Sequence, residues 1–356
     1  MLRTGGLLAL CGLGSSAAAA PTKRHDVVGW YVGSNTTQYP LEALFPAYSI
    51  GRLGGPLVGS NGSASCDSSD SFTAKARDVA HARGSKIQWG SRFPAAGLPW
   101  FANATNHGAE IRTNYLATIG SAVADCSVDG IEFDMENVGG DAMGQAGVVT
   151  PALATEWTVF LHDVKVSIEA AARTKGQSLV SCDVGAWGMT DGSYPLALLE
   201  PWVNATMTNA GNGPDFINTM SYHEASVWAK NGSILPWEKD GFVAHEIWKL
   251  DKDRVNIGIP FFFFNFTDSL HTGQTSEPTW HSLGPRCPNA APNATMCDGI
   301  EVVSKEMARA IGAWVKEAGF RGVFPWAANY DSLLYNNSLI AWVNEGLGDL
   351  PHTAAQ

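Results

Sequence analysis

The chain has 356 residues, 45% of them hydrophobic, and carries 34 acidic against 23 basic side chains, a formal net charge of −11. That length fits one large α/β barrel or two ordinary domains, and the apolar fraction is enough for a large core. The acidic balance, with few basic clusters, argues against nucleic acid and anionic membrane surfaces as partners, and beyond the N-terminus no stretch is apolar enough to span a bilayer.

The first segment, residues 1–20, combines Arg3, the apolar run Leu7–Leu13 and the small residues Ala17–Ala20. This is the pattern of a secretory signal peptide. Lys23 and Arg24 follow as a dibasic pair, so the mature chain is expected to begin between Pro21 and His25. A secreted, extracellular protein follows from this reading, with association to a cell wall as one option.

Strand-like segments then alternate with helical ones. Strands are expected at Val27–Val32, Ser49–Leu53, Lys86–Gly90, Gly130–Asp134, Leu179–Gly185, Phe216–Ser221, Val255–Pro260 and Gly322–Trp326. Helical periodicity covers Phe72–Ala82, Glu110–Ala124, Ala152–Thr174, Pro195–Val203, Phe242–Leu250, Val302–Ala318 and Asp331 to about Asn344. The first connection, Thr37–Pro46, is less clearly helical, and the Gly/Ser-rich stretch Gly54–Ser71 reads as one long loop. Eight strands with helical crossovers predict an α/β fold of one kind, a single (β/α)8 TIM barrel over residues 25–350. An open doubly wound sheet is less suitable, because its Gly-rich phosphate loop is missing.

Without Cys11, five cysteines remain, and an odd number in a secreted chain leaves one free or paired between chains. Cys287 and Cys297 flank a Pro/Asn-rich loop and form the best local pair; Cys66 with Cys126 is the second choice. Cys182 lies in an apolar segment and is expected as a buried thiol. Asn-x-Ser/Thr sites begin at Asn35, Asn61, Asn103, Asn204, Asn231, Asn265, Asn293 and Asn336. Chance alone gives several; behind a signal peptide, some are expected to carry glycans.

Chemistry concentrates in Val-Asp-Gly-Ile-Glu-Phe-Asp-Met-Glu, residues 128–136. On a strand, Glu132, Asp134 and Glu136 share one face, and Ile131, Phe133 and Met135 form the other. A single acid at a strand end is usually solvated. Three in alternation on a strand with a buried apolar face are costly to keep ionised together, which marks a candidate acid/base site. In a barrel the active site lies at the C-terminal strand ends. Those ends also gather Trp30, Tyr31, Trp89, Trp187, Tyr222, His223 and Trp326. One aromatic residue alone more often packs in the core, but together with acids the group suits sugar rings and their hydroxyl or acetamido substituents.

Here the chain resembles the glycoside hydrolase family 18 enzymes, the chitinase group. That family's Asp-Gly-x-Asp-x-Asp-x-Glu motif is matched by Asp129-Gly130-Ile131-Glu132-Phe133-Asp134-Met135-Glu136. Its Met-x-Tyr element is matched by Met220-Ser221-Tyr222, and its tryptophan ending the eighth strand by Trp326. Val255–Phe261 is similar to the family's seventh strand. The chain departs from the pattern at Glu132, which replaces an Asp, at His223 followed by Glu224, at Asn218, which stands for Gln, and at Gly90-Ser91-Arg92.

The resemblance implies a mechanism. Glu136 is the general acid and then the base. The nucleophile is the substrate's own N-acetyl oxygen, an exception to the two-carboxylate scheme. Asp134 and Tyr222 hold the acetamido group, and Glu132 shares a proton or charge with Asp134. Trp326 forms the floor of the cleavage subsite, with Met220, Trp30, Tyr31, Trp187, Asn218 and His223 as further substrate contacts. The implied activity is endo-acting cleavage of β-1,4-linked N-acetylglucosamine polymers, chitin or chito-oligosaccharides, by a retaining, substrate-assisted route, in a monomer that needs no cofactor and no metal. The short segment Thr267–Asp298 after the seventh strand favours a shallow, endo-type cleft over a deep exo-acting one. The alternatives weighed are an endo-β-N-acetylglucosaminidase acting on N-glycans, a non-catalytic chitin-binding lectin on the same barrel, and a peptide or xylanase inhibitor.

Overall fold

In the computed structural model, residues 25–32, 41–45, 47–92, 106–135, 151–172, 178–185, 213–220, 252–262, 279–287, 289, 291–298, 300–332 and 337–348 are described. Eight strands form the centre: β1 Asp26–Trp30, β2 Ile50–Leu53, β3 Lys86–Arg92, β4 Gly130–Met135, β5 Leu179–Gly185, β6 Phe216–Met220, β7 Val255–Pro260 and β8 Gly322–Trp326. They are parallel and close into a barrel in sequence order, with β1 bonded to both β2 and β8. The expected (β/α)8 barrel is therefore the fold.

Five long helices are described: α1 Ser71–Ala82, α2 Asn106–Cys126, α3 Pro151–Ala171, α4 Lys305–Ala318 and α5 Leu339–Leu347. Strand alternation separates two environments. Phe133, on the outer face of β4, meets Phe160 of α3 edge-on at 5.5 Å, and Phe160 contacts Tyr115 of α2 at 5.9 Å. Helices α2 and α3 approach closely at Gly120, where a Cβ would lie 2.1 Å from the Ser167 carbonyl oxygen. The Ser167 hydroxyl seals this contact, donating to the Leu116 carbonyl at 2.7 Å. No helix among the described residues is long and apolar enough to cross a membrane.

Helix starts follow capping chemistry. The Asp70 carboxylate accepts from the backbone N–H groups of Phe72 and Thr73, each at 3.0 Å, and so opens α1. Ser304 caps α4 through Met307 N–H at 3.1 Å, so that helix begins at Lys305 rather than at Val302 as periodicity suggested. The last helix was expected from Asp331 and begins at Leu339. Asp331 is buried ahead of it and accepts from Leu339 N–H at 2.8 Å, Ile340 N–H at 3.1 Å and the Ser338 hydroxyl at 2.7 Å. Its side chain works as a remote cap, which helical periodicity does not reveal. The stretch read as a plain loop, Gly54–Ser71, contains a two-stranded ribbon, Leu57–Val58 against Ala64–Ser65. The helices expected at Pro195–Val203 and Phe242–Leu250 lie outside the described residues.

Both expected disulfides are present, Cys66–Cys126 and Cys287–Cys297, and Cys182 is a buried free thiol. The first ties the loop after β2 to the end of α2.

Candidate active site

The inner face of β4 carries Glu132 and Asp134, both buried. Parallel pairing fixes their neighbours: Glu132 stands opposite Ser181 and Asp134 opposite Asp183 on β5. Asp183 is in turn opposite Asn218 on β6, and Asn218 opposite Asn256 on β7. The expected acid row thus runs into a second polar row across the sheet, and all these side chains are buried inside the barrel.

Asp183 and Arg52 are the hub. Arg52, on β2 and fully buried, donates from Nη1 to Asp183 Oδ1 at 2.7 Å and from Nη2 to the Ser181 hydroxyl at 2.9 Å. Its guanidinium lies 5.4 Å from the ring centre of Phe324 and 5.9 Å from that of Phe216, so apolar faces shield the charge. Gln88 of β3 donates to Ser181 Oγ at 3.1 Å. Asn218 Nδ2 donates to Asp183 Oδ1 at 2.6 Å, and Asn256 Nδ2 to Asn218 Oδ1 at 2.9 Å. A buried charge persists only with such pairing.

Glu132 is placed differently. Its Oε1 is 3.9 Å from Arg52 Nη1, beyond hydrogen-bond range, so the guanidinium does not hold it as it holds Asp183. Burial pushes its pKa well above the ordinary carboxylate range, and the negative charge of Asp183 adds to this while Arg52 opposes it.

The aromatic contribution is also positioned. Trp30, at the end of β1, donates from Nε1 to Asp183 Oδ2 at 2.9 Å, and its ring meets that of Trp326, at the end of β8, at 5.7 Å. Gly90 makes room for it: a Cβ there would lie 1.7 Å from the outer edge of the Trp30 ring. Of the expected contacts, the structure therefore brings together Glu132, Asp134, Asn218, Trp30 and Trp326, with Met220 buried at the end of β6. Tyr31 does not join them. Its ring packs on Phe72 of α1 at 5.2 Å, because alternation turns it away from the side Trp30 faces. Trp89 is likewise a core residue, buried between the inward-facing Gln88 and Gly90. Glu136, Trp187, Tyr222 and His223 lie outside the described residues; Glu136 directly follows Met135, the last residue of β4.

Sequence reasoning missed Arg52, Asp183, Gln88, Ser181 and Asn256. Ser181 and Asp183 alternate on β5 as the acids do on β4, and Arg52 interrupts the otherwise apolar Ile-Gly-Arg-Leu of β2. Those were the available signals.

These features define a closed (β/α)8 barrel with carboxylates on the inner face of its fourth strand and tryptophans at the same rim. No family model matches the chain, and no curated protein matches it by sequence. Solved structures do. A chitinase from Bacteroides thetaiotaomicron superposes with a TM-score of 0.63 at 17% identity, covering 92% of this chain and 97% of that one. The GH18 chitinase ChiB from the chitin utilization locus of Flavobacterium johnsoniae gives a TM-score of 0.64 at 15% identity, covering 92% of this chain and 95% of its own. A mutant of the class V chitinase from Nicotiana tobaccum, crystallised in complex with NAG4, gives 0.63 at 15%, covering 91% and 99%. The chain has the fold of these chitinases over nearly its whole length.

Proposed function

We propose that the protein is a secreted, endo-acting glycoside hydrolase of the chitinase type, cleaving β-1,4-linked N-acetylglucosamine polymers with retention of configuration. The observation that carries this reading is the burial of Glu132 and Asp134 on the inner face of β4, four and two residues before Glu136, together with the meeting of the Trp30 and Trp326 rings at the ends of β1 and β8. The shared fold with chitinases supports it, and so does the complex of the tobacco relative with NAG4.

In this mechanism Glu136 protonates the glycosidic oxygen, and the leaving sugar departs. The acetamido oxygen of the retained sugar attacks the anomeric carbon from the opposite face, forming an oxazolinium ion. Asp134 orients the acetamido N–H and balances the positive charge that develops there; Tyr222 bonds the same group. Glu136, now a carboxylate, takes a proton from water, whose oxygen opens the ring and restores the acid. Trp326 provides an apolar floor on which the sugar ring stacks. The two disulfides fit an oxidising, extracellular compartment.

Product analysis on chitin oligomers beside a high-mannose glycopeptide tests the reading. Internal cleavage of the oligomers with an initial β-anomer supports it. Cleavage of the glycopeptide alone makes the protein an N-glycan hydrolase, and tight binding of oligomers without turnover makes it a lectin.

A further inference from the structure

The acidic motif accounts for Glu132, Asp134 and Glu136 but not for the fourth carboxylate, Asp183 of β5. Asp183 is fully buried, yet it accepts from three donors on three other strands: Arg52 Nη1 at 2.7 Å, Asn218 Nδ2 at 2.6 Å and Trp30 Nε1 at 2.9 Å. It also stands in register with Asp134. Two buried carboxylates thus compete for one guanidinium, and the distances decide the contest. Asp183 is hydrogen-bonded to Arg52, whereas Glu132 lies 3.9 Å from the same nitrogen.

On the hydrolase reading above, we infer that Asp183 is a positioning residue: it takes Arg52 as its ion-pair partner, fixes the Trp30 indole, and leaves Glu132 as the neutral member of the carboxylate set beside Asp134. A further anion buried here without a cation of its own would be costly. The groups around Glu132 agree. Arg52 approaches from β2, Asp134 lies on β4 itself, and β5 contributes Asp183 and the Cys182 thiol, whose own acidity burial suppresses. Gln88 of β3 and Asn218 of β6 are neutral. Of the charged neighbours among the described residues, the two carboxylates favour a protonated Glu132 and Arg52, already engaged, opposes it. A protonated Glu132 is a hydrogen-bond donor within the carboxylate set, facing Asp183 and two residues from Asp134 on the same strand face.

Two measurements test the inference. The first needs no substrate. Infrared spectra of the wild-type protein at pH 7 should show a buried protonated carboxyl group that is absent in Glu132→Gln, and also absent in Asp183→Asn, where Glu132 ionises against the released Arg52. The second is the pH profile of kcat on a chitin oligomer. Its alkaline limb should move to lower pH in Asp183→Asn by about one unit or more, the usual effect of a newly available opposite charge. Adding Glu132→Gln to Asp183→Asn should abolish that shift. A wild-type protein without the protonated carboxyl band overturns the inference, as does an Asp183→Asn protein that keeps the band and the limb. If Asp183→Asn does not fold, the comparison of wild type with Glu132→Gln still decides. If no acetamido-glycan is hydrolysed, the hydrolase reading fails by itself, and the infrared arm still decides which carboxylate holds Arg52.

Discussion

At the scale of single residues, the site depends on which carboxylates hold protons. Glu136→Gln keeps the side-chain size but removes acid–base function, and turnover should fall on the order of 100- to 10,000-fold with oligomer binding retained. Asp134→Asn should also lower kcat strongly, since it weakens control of the acetamido group; steady-state kinetics on a chromogenic oligomer read both. Glu132 contributes to stability through linkage. Its folded-state pKa is raised by burial and by Asp183, so its contribution is complete below the ordinary carboxylate pKa of 4.5 and declines as pH rises through the raised folded value. Asp331 has the same sign: burial lifts it from 3.8 to about 6 against four hydrogen bonds that oppose the shift, so its contribution declines over that interval. The difference in urea midpoint between wild type and Glu132→Gln should therefore shrink as pH rises above about 4. A difference that stays constant from pH 4 to 8 is incompatible with a buried Glu132 that resists ionisation.

At the scale of elements, β1, β3 and β5 meet at one contact: the Trp30 ring over Gly90 with its Nε1 on Asp183. Gly90→Ala puts a methyl group where the ring lies. It should cost about 1–3 kcal/mol of stability by overpacking and alter the near-ultraviolet dichroism of Trp30. Arg52→Ala should be worse. It leaves Asp183 buried without its cation, a loss of roughly 3–5 kcal/mol by chemical denaturation. Asp331→Ala removes the acceptor for two N–H groups at the start of α5 and should cost about 1–3 kcal/mol, with faster amide exchange at Leu339 and Ile340.

At the scale of the whole molecule, the barrel was legible because parallel strands buried on both sides leave short apolar runs such as Val255–Pro260, and these alternate with long helical patterns. The acid row was legible because the residues that carry it are consecutive in sequence. The Asp183–Arg52–Trp30 hub was not. Its members are separated by 131 residues, Arg52 to Asp183, and by 153, Trp30 to Asp183, and only barrel closure brings them together. The same holds for Asp331, whose partners at the start of α5, Leu339 and Ile340, stand eight and nine residues further along the chain. Tyr31 and Trp89 were placed at the rim by position along their strands, while the alternation of faces sends them outward. The Cys66–Cys126 bridge closes a loop across 60 residues. Its removal should cost about 2–4 kcal/mol, and peptide mapping without reduction should recover Cys182 unbridged.

The most direct test of the account compares two substrates that differ in one group, a chito-oligosaccharide acetylated at the cleavage-site sugar and the same oligomer deacetylated there. The nucleophile belongs to the substrate in this mechanism, so the acetylated oligomer should be cleaved with retention and the deacetylated one should be inert to the wild-type protein at equal concentration. Equal cleavage of both would contradict substrate assistance and, with it, the roles given to Asp134 and Glu136.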